Sequence, residues 1–436
     1  MTFSPDATAG SWTQTSEVRR VQRRTLKTLA MAQILGSIGL GSSFSVGILL
    51  AEQVTASETW AGVARTSSTV GAALAALPLA MLAVRGGRRV ALALGWSLAI
   101  LGSLFLIGAG LANSVVLLVL GMLLFGVGSA VGLQSRFAGT DLALPEHRAR
   151  ALSLVVWAGT VGSVLGPNLG APGEWLAARL DIPPLTGAFV IAAVAMTATL
   201  VIILVGLRPD PALLAAKVSG VVPPAGSKGW RGIPAGARAI RASPASRRAL
   251  ACLVLAHAAM VLLMTMTPVH MHHHGQGVAL VGFVISGHVI GMFAFSPVVG
   301  FVADRFSSRV SIAVGAGILL LAAAVAITAA ETMGGISVSL FLLGLGWSFV
   351  MIPAAATVSN GARDDVRTLV QGTSDAVMNI VAALAAGLSG PLMARFGFGN
   401  LSWAVVVMAL AILWLARGTS TPTATASLPP QVSSEA

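Results

Sequence analysis

Tyrosine is missing from this 436-residue chain, cysteine occurs once, at Cys252, and charged residues make up only 10% of it. Each shortage excludes something. A lone cysteine allows no internal disulfide, so cysteine usage says nothing about redox compartment. Soluble domains carry roughly 25% charged residues, so a chain with 10% charged and 56% apolar residues does not have water as its main solvent. Without Tyr, the interfacial anchors fall to Trp, and Trp60, Trp175 and Trp414 stand at the ends of apolar runs. No Gly-x-x-x-x-Gly-Lys-Ser/Thr run occurs, which argues against ATP as the driving force. No nucleophile and base pair stands out, so an enzyme is not expected. The short alternating segments of a closed β-barrel are absent as well.

What is present is a succession of apolar runs, each long enough to cross a hydrocarbon core of about 30 Å as a helix. They fall at 26–50, 60–84, 90–111, 114–136, 151–171 and 185–207, then at 249–270, 278–302, 310–330, 336–359, 368–394 and 399–417. That makes twelve predicted spans. The first run is too long for a cleaved signal peptide and continues into the multi-span pattern.

The net charge of +12 does not indicate a nucleic-acid partner, because the basic residues sit in alternate loops rather than on one module. Arg19, Arg20, Arg23, Arg24 and Lys27 precede the first span, Arg85, Arg88 and Arg89 follow the second, and Arg148 and Arg150 follow the fourth. Glu52, Glu58, Glu174 and Glu331 occupy the opposite loops. The positive-inside rule then places both termini in the cytoplasm. Residues 208–248 interrupt the apolar pattern with six prolines and eight Lys/Arg against one acid, Asp210. This reads as a cytoplasmic linker attracted to anionic lipid. The organisation is a tail over 1–25, a six-helix bundle over 26–207, the linker over 208–248, a second six-helix bundle over 249–417 and a tail over 418–436.

Six of the seven histidines lie between His257 and His288, among Met260, Met264, Met266, Met271 and Met292. Thioether and imidazole donors without carboxylate or thiolate partners suit Cu(I) better than harder ions. Met260 and Met264 are four apart on one predicted helix, and His288 and Met292 repeat that spacing on the next. Residues so spaced share a helix face about 6 Å apart along the axis. If both faces point inward, four soft ligands surround one cation. Met at this spacing also fills ordinary helical cores. A mid-span His is costly to bury and more often functional.

Neighbouring groups extend the picture. His257 is a second-stage ligand, a proton carrier or a hydrogen-bonded interhelical residue, and Cys252 is a receiving ligand or a small apolar filler. His270, Met271, His272, His273 and His274 form either an outer metal-capture site or a solvated polar tract, since neutral imidazoles bind Cu, Zn and Ni alike. Arg65 near the outer end of the second span can snorkel, and Arg136 and Asp141 bracket the inner end of the fourth. Asp375 and Asn379, four apart, share a face and either couple protons or brace the bundle.

Arg85-Gly86-Gly87-Arg88-Arg89-Val90 lines up at an offset of 220 with Arg305-Phe306-Ser307-Ser308-Arg309-Val310, a weak internal repeat. From about residue 25 to 417 the chain resembles the major facilitator superfamily, on the strength of Gly300 followed by Asp304, Arg305 and Arg309. That resemblance implies an all-α integral membrane protein with the major facilitator fold, in which these four residues form a cytoplasmic latch between helix bundles. The first-half copy departs from the motif, with Ala80 for the glycine and Val84 for the aspartate, so its latch is weaker or made by other residues. Gly162, Gly166, Pro167 and Gly170 are similar to the Gly-Pro run of the superfamily's antiporters, serving close packing or exchange.

Met-x-x-x-Met followed by His-x-x-x-Met on consecutive spans further resembles the CcoA-like copper transporters. This resemblance implies Met260, Met264, His288 and Met292 as ligands of copper carried as a substrate, with no permanent cofactor. The expected function is copper import by alternating access in a monomer within the bilayer, and the rival is a drug or small-metabolite/proton antiporter. The scarcity of carboxylates deep in the first-half spans disfavours that rival.

Overall fold

The computed structural model describes residues 15–42, 46–143, 148–219, 229–329, 331–361 and 367–417; both terminal tails beyond these, and residues 220–228 of the linker, lie outside the described residues. Among the described residues no strand occurs. Backbone polar groups in hydrocarbon must be satisfied within their own segment, and helices do this with apolar side chains facing outward.

Helices α1 (Ser16–Gly41) and α2 (Val46–Thr55) make the first crossing, followed by α3 (Glu58–Gly86), α4 (Arg88–Ala112) and α5 (Val115–Ala138). The fifth crossing is broken: α6 (Arg148–Leu165) passes through a 3-10 turn, Gly166–Leu169, into α7 (Gly170–Leu180). Pro167 enforces that break, since it offers no amide hydrogen to a continuing helix. Helix α8 (Gly187–Gly206) closes the first set.

The linker is not wholly irregular: it holds α9 (Pro211–Ser219) and α10 (Gly229–Ala242). Next comes α11 (Pro244–His273), with Ser243 capping its first turn through the amide of Ser246. It is followed by α12 (Val278–Phe293), α13 (Ser296–Arg305), α14 (Ser308–Ala329), α15 (Met333–Asn360) and α16 (Arg367–Ala416). A straight helix of 50 residues would run about 75 Å, far more than one bilayer. Gly397, with φ of 77° and ψ of 166°, breaks it. Eleven stretches are long and apolar enough to cross a membrane, and the break divides the last into two, giving the twelve crossings expected.

Buried apolar side chains gather in two clusters, one from α1 to α8 and the other mainly from α10 to α16, which also takes in Ile48 and Ala61. Small residues let the two groups touch. A methyl group at Gly62 of α3 would sit 2.4 Å from the carbonyl oxygen of Ala386 on α16, and one at Gly282 of α12 would sit 2.5 Å from that of Pro167. Thr66 donates to the Ala383 carbonyl at 2.9 Å, and Asn168 donates to Ser286 at 2.6 Å. Counting along the chain, these approaches all lie away from the end that carries the linker. His273 on α11 and Glu52 on α2 pair at that same far end.

Candidate functional site

Near mid-span, three helices of the second group meet through aromatic and imidazole rings. The indole N–H of Trp347 on α15 donates to Nδ1 of His257 on α11 at 3.1 Å, so the ring proton of a neutral His257 resides on Nε2. Trp347 also meets Phe293 of α12 edge to face, with centroids 6.1 Å apart. From the first group, half-buried Arg65 on α3 lies within electrostatic reach of His257. Arg65 therefore does not simply turn outward to the interface. Thr66, next to it in the chain, bonds α16 through its hydroxyl. A second charged approach across the seam joins Arg136 of α5 and Asp375 of α16. Asp375 is exposed, and the Asn379 side chain donates to the Asp375 carbonyl at 2.8 Å, bracing its own helix.

The four soft residues are distributed differently from a simple facing pair. Met260 and Met264 are buried in the core of the second group, while Met292 is half-buried. Helix α11 packs chiefly on α16 and α15, α12 packs chiefly on α15, and α11 and α12 meet only sparingly. The two consecutive spans thus share α15 as their main common neighbour. At the contact with α15, His288 donates from Nδ1 to the Leu340 carbonyl at 2.7 Å. Its Nε2 is buried without a hydrogen-bond partner among the described residues. Gly344 makes room for this ring: a methyl group there would sit 2.3 Å from the His288 carbonyl oxygen. Among the described residues, no three of His, Cys, Asp and Glu cluster as a metal site.

The other candidates separate by exposure. Cys252 is buried and directs its thiol to the Ile412 carbonyl at 3.9 Å, a filler between α11 and α16. The histidine tract is the last turn of α11 rather than a loop. His270 stacks on Phe398 with centroids 4.3 Å apart and Met271 is buried, so only His272, His273 and His274 are exposed.

The glycines of the Gly-Pro run serve close packing. A methyl group at Gly162 would lie 2.2 Å from the Ile34 carbonyl oxygen, and one at Gly170 would lie 2.9 Å from Val278. Gly300, by contrast, has open space around it. Asp304, Arg305 and Arg309 are exposed and make no ion pair among the described residues. The first-half counterpart is joined: Arg88 grips Asp141 with two bonds of 2.9 and 3.2 Å. Asp210 accepts from the Arg89 amide at 2.7 Å and caps α9 through Ala212. Burial holds the Asp141 carboxyl above the ordinary carboxylate range; the hydrogen bonds and charge of Arg88 draw it back, and the charge of Asp210 adds to the rise.

Twelve apolar crossings in two packed groups, joined at their seam by polar contacts such as Thr66 with Ala383 and Asn168 with Ser286, suit a carrier, and the Major Facilitator Superfamily model matches residues 29–386 and 249–432. The chain belongs to this superfamily. Like other members of the Major Facilitator Superfamily it is a multi-pass secondary transporter and not an enzyme. It is 36% identical to the uncharacterized MFS-type transporter YddS of Bacillus subtilis (strain 168), over 90% of each chain. It is 28% identical to the riboflavin transporter RfnT of Brucella anthropi, over 90% of this chain and 94% of that one. Among superfamily structures, the nucleoside transporter NupG aligns with a TM-score of 0.70 at 13% identity, covering 91% of this chain and 98% of that one, a likeness of fold.

Sequence reasoning missed Trp347 and Phe293. A Trp at mid-span, with an indole N–H that needs an acceptor away from water, was the available signal.

Proposed function

We propose that this transporter moves a small, planar organic solute across the bacterial inner membrane by alternating access, with both termini in the cytoplasm. The observation that carries the reading is the mid-span group of Trp347, His257 and Phe293 facing Arg65 across the seam. Aromatic faces stack on a heterocycle, and a cation with an imidazole supplies directed hydrogen bonds to its edge. An ionisable residue inside a span marks a substrate path by default. The full-length similarity to a riboflavin transporter supports the same solute class. The contacts at the far end correspond to a carrier shut on the outside, with the cytoplasmic latch residues Asp304, Arg305 and Arg309 released.

A second reading, copper as the cargo, is favoured by one observation: His288 has its Nδ1 hydrogen held by a backbone carbonyl and its Nε2 lone pair buried without a partner among the described residues. That is how ligating histidines are commonly oriented. Met260, Met264 and Met292 would complete the set.

Uptake of radiolabelled riboflavin and of copper by cells expressing the protein decides between them. The first reading expects riboflavin accumulation above empty vector, reduced roughly tenfold or more by Trp347→Leu, equivalent to about 1.4 kcal/mol, with copper unchanged. Copper accumulation that His288→Ala abolishes, with riboflavin at vector level, would overturn it in favour of the second.

A further inference from the structure

A cleft of about 900 Å³ opens between the first turns of α1 and the end of α8, well away from the mid-span group. Its α1 wall carries Arg20, Arg23, Arg24 and Lys27, all exposed, and no carboxylate lines it among the described residues. Below them the lining turns apolar: Met31 is 56% exposed, Val201 53% and Val205 61%. The floor is set by Gly206, where a methyl group would sit 2.4 Å from Thr28, so the helices cross closely there. Arg24 donates to the Val205 carbonyl at 3.2 Å with one nitrogen, which leaves its other donors for a ligand.

We propose that this cleft binds one anionic phospholipid, its phosphate held by Arg20, Arg23, Arg24 and Lys27 and an acyl chain lying along Met31, Val201 and Val205. The argument is the vertical order of the lining. From Arg20 to Met31 the helix rises about 16 Å, passing from four cations to exposed apolar side chains, which is the profile of a phospholipid from headgroup into acyl chain. Free phosphate would use the cations and leave the apolar wall unmatched. A zwitterionic lipid would match the wall but would bring its own ammonium beside the four cations, whereas an anionic lipid adds only negative charge there. Several guanidinium groups around one phosphate give directed, charge-assisted bonds rather than a diffuse attraction. A lipid seated here would tie the start of α1 to the end of α8, just before α9 begins.

The test is binding to delipidated, detergent-purified protein, followed by native mass spectrometry and by thermal unfolding. Phosphatidylglycerol is expected to bind as a single retained molecule and to raise the unfolding temperature, with phosphatidylcholine and inorganic phosphate doing neither. Arg23→Gln combined with Lys27→Gln should weaken phosphatidylglycerol binding roughly 20-fold, at about fivefold per cation near the surface. Arg238→Gln combined with Arg241→Gln on α10 should leave the retained molecule in place. Equal retention of phosphatidylcholine, or an equal loss in the α10 variant, would overturn the assignment. Should the α1 variant not fold, competition on the wild type decides: displacement of phosphatidylglycerol by inorganic phosphate means a free-anion site, and the proposal fails.

Discussion

Asp141 shows how one buried carboxylate records its surroundings. Its carboxyl is raised by burial and restrained by Arg88, so the folded chain binds its proton more tightly than the unfolded chain does. For an acid raised in this way, the stabilising contribution is complete below the unfolded value and is lost as pH climbs through the folded one. Removing Arg88 removes the restraint and widens that window. Arg88→Gln is therefore expected to lose thermal stability more steeply than the wild type as pH rises from the ordinary carboxylate range toward neutrality, by roughly 2–5 °C at the upper end. Adding Asp141→Asn should flatten the profile again. A profile of Arg88→Gln parallel to the wild type would show that the pair is only a surface contact. The pairing was not legible in the chain, because the acid missing at Val84 is supplied from 53 positions beyond Arg88, at the other end of a different span. Histidine and methionine spacing, by contrast, was fully legible, yet it did not reveal that the His288 ring turns to the Leu340 carbonyl.

Among the elements, the seam between α12 and the broken fifth crossing is the tightest place to probe. Ser286 donates to the Val164 carbonyl at 2.6 Å and receives a bond from Asn168, while Gly282 rests against Pro167. Gly282→Leu forces a side chain into backbone 2.5 Å away, so the seam must part. Overpacking of this kind costs about 1–3 kcal/mol, and here it falls on the conformation closed at the far end. We expect the variant to fold but to react faster at its far end with a membrane-impermeant thiol reagent, using a cysteine placed at Gln53 in a Cys252→Ser background. Unchanged labelling would mean that this seam is not what holds the far end shut. The Gly-Pro run announced a close approach in this span, and the structure supplies its partners: α1 for Gly162 and α12 for Gly170.

For the molecule as a whole, alternating access requires the far-end contacts to break in each cycle. Glu52 and His273 join the two helix groups there through the ends of two long side chains, so a bifunctional thiol reagent with a short, reducible spacer can bridge cysteines at these positions. In a Cys252→Ser background, Glu52→Cys combined with His273→Cys should lose nearly all transport when bridged by the reagent and regain it when the spacer is reduced. Transport that survives complete cross-linking would exclude rocking of the two groups about this end.

The number of crossings and the solvent they face follow from the sequence by itself, because a run of about 20 apolar residues is a local property that no later packing can undo. The prolines and charges of residues 208–248 mark a break in the apolar pattern, but the two short helices there are not legible in them. Which polar side chains meet was decided only in three dimensions. Helix rotation and neighbour order are set by the packing of many small residues at once, and α15 packs on both α11 and α12 while those two, consecutive in the chain, meet only sparingly. That placement brings Trp347 to His257 and turns His288 to Leu340, contacts that the spacing pattern did not announce.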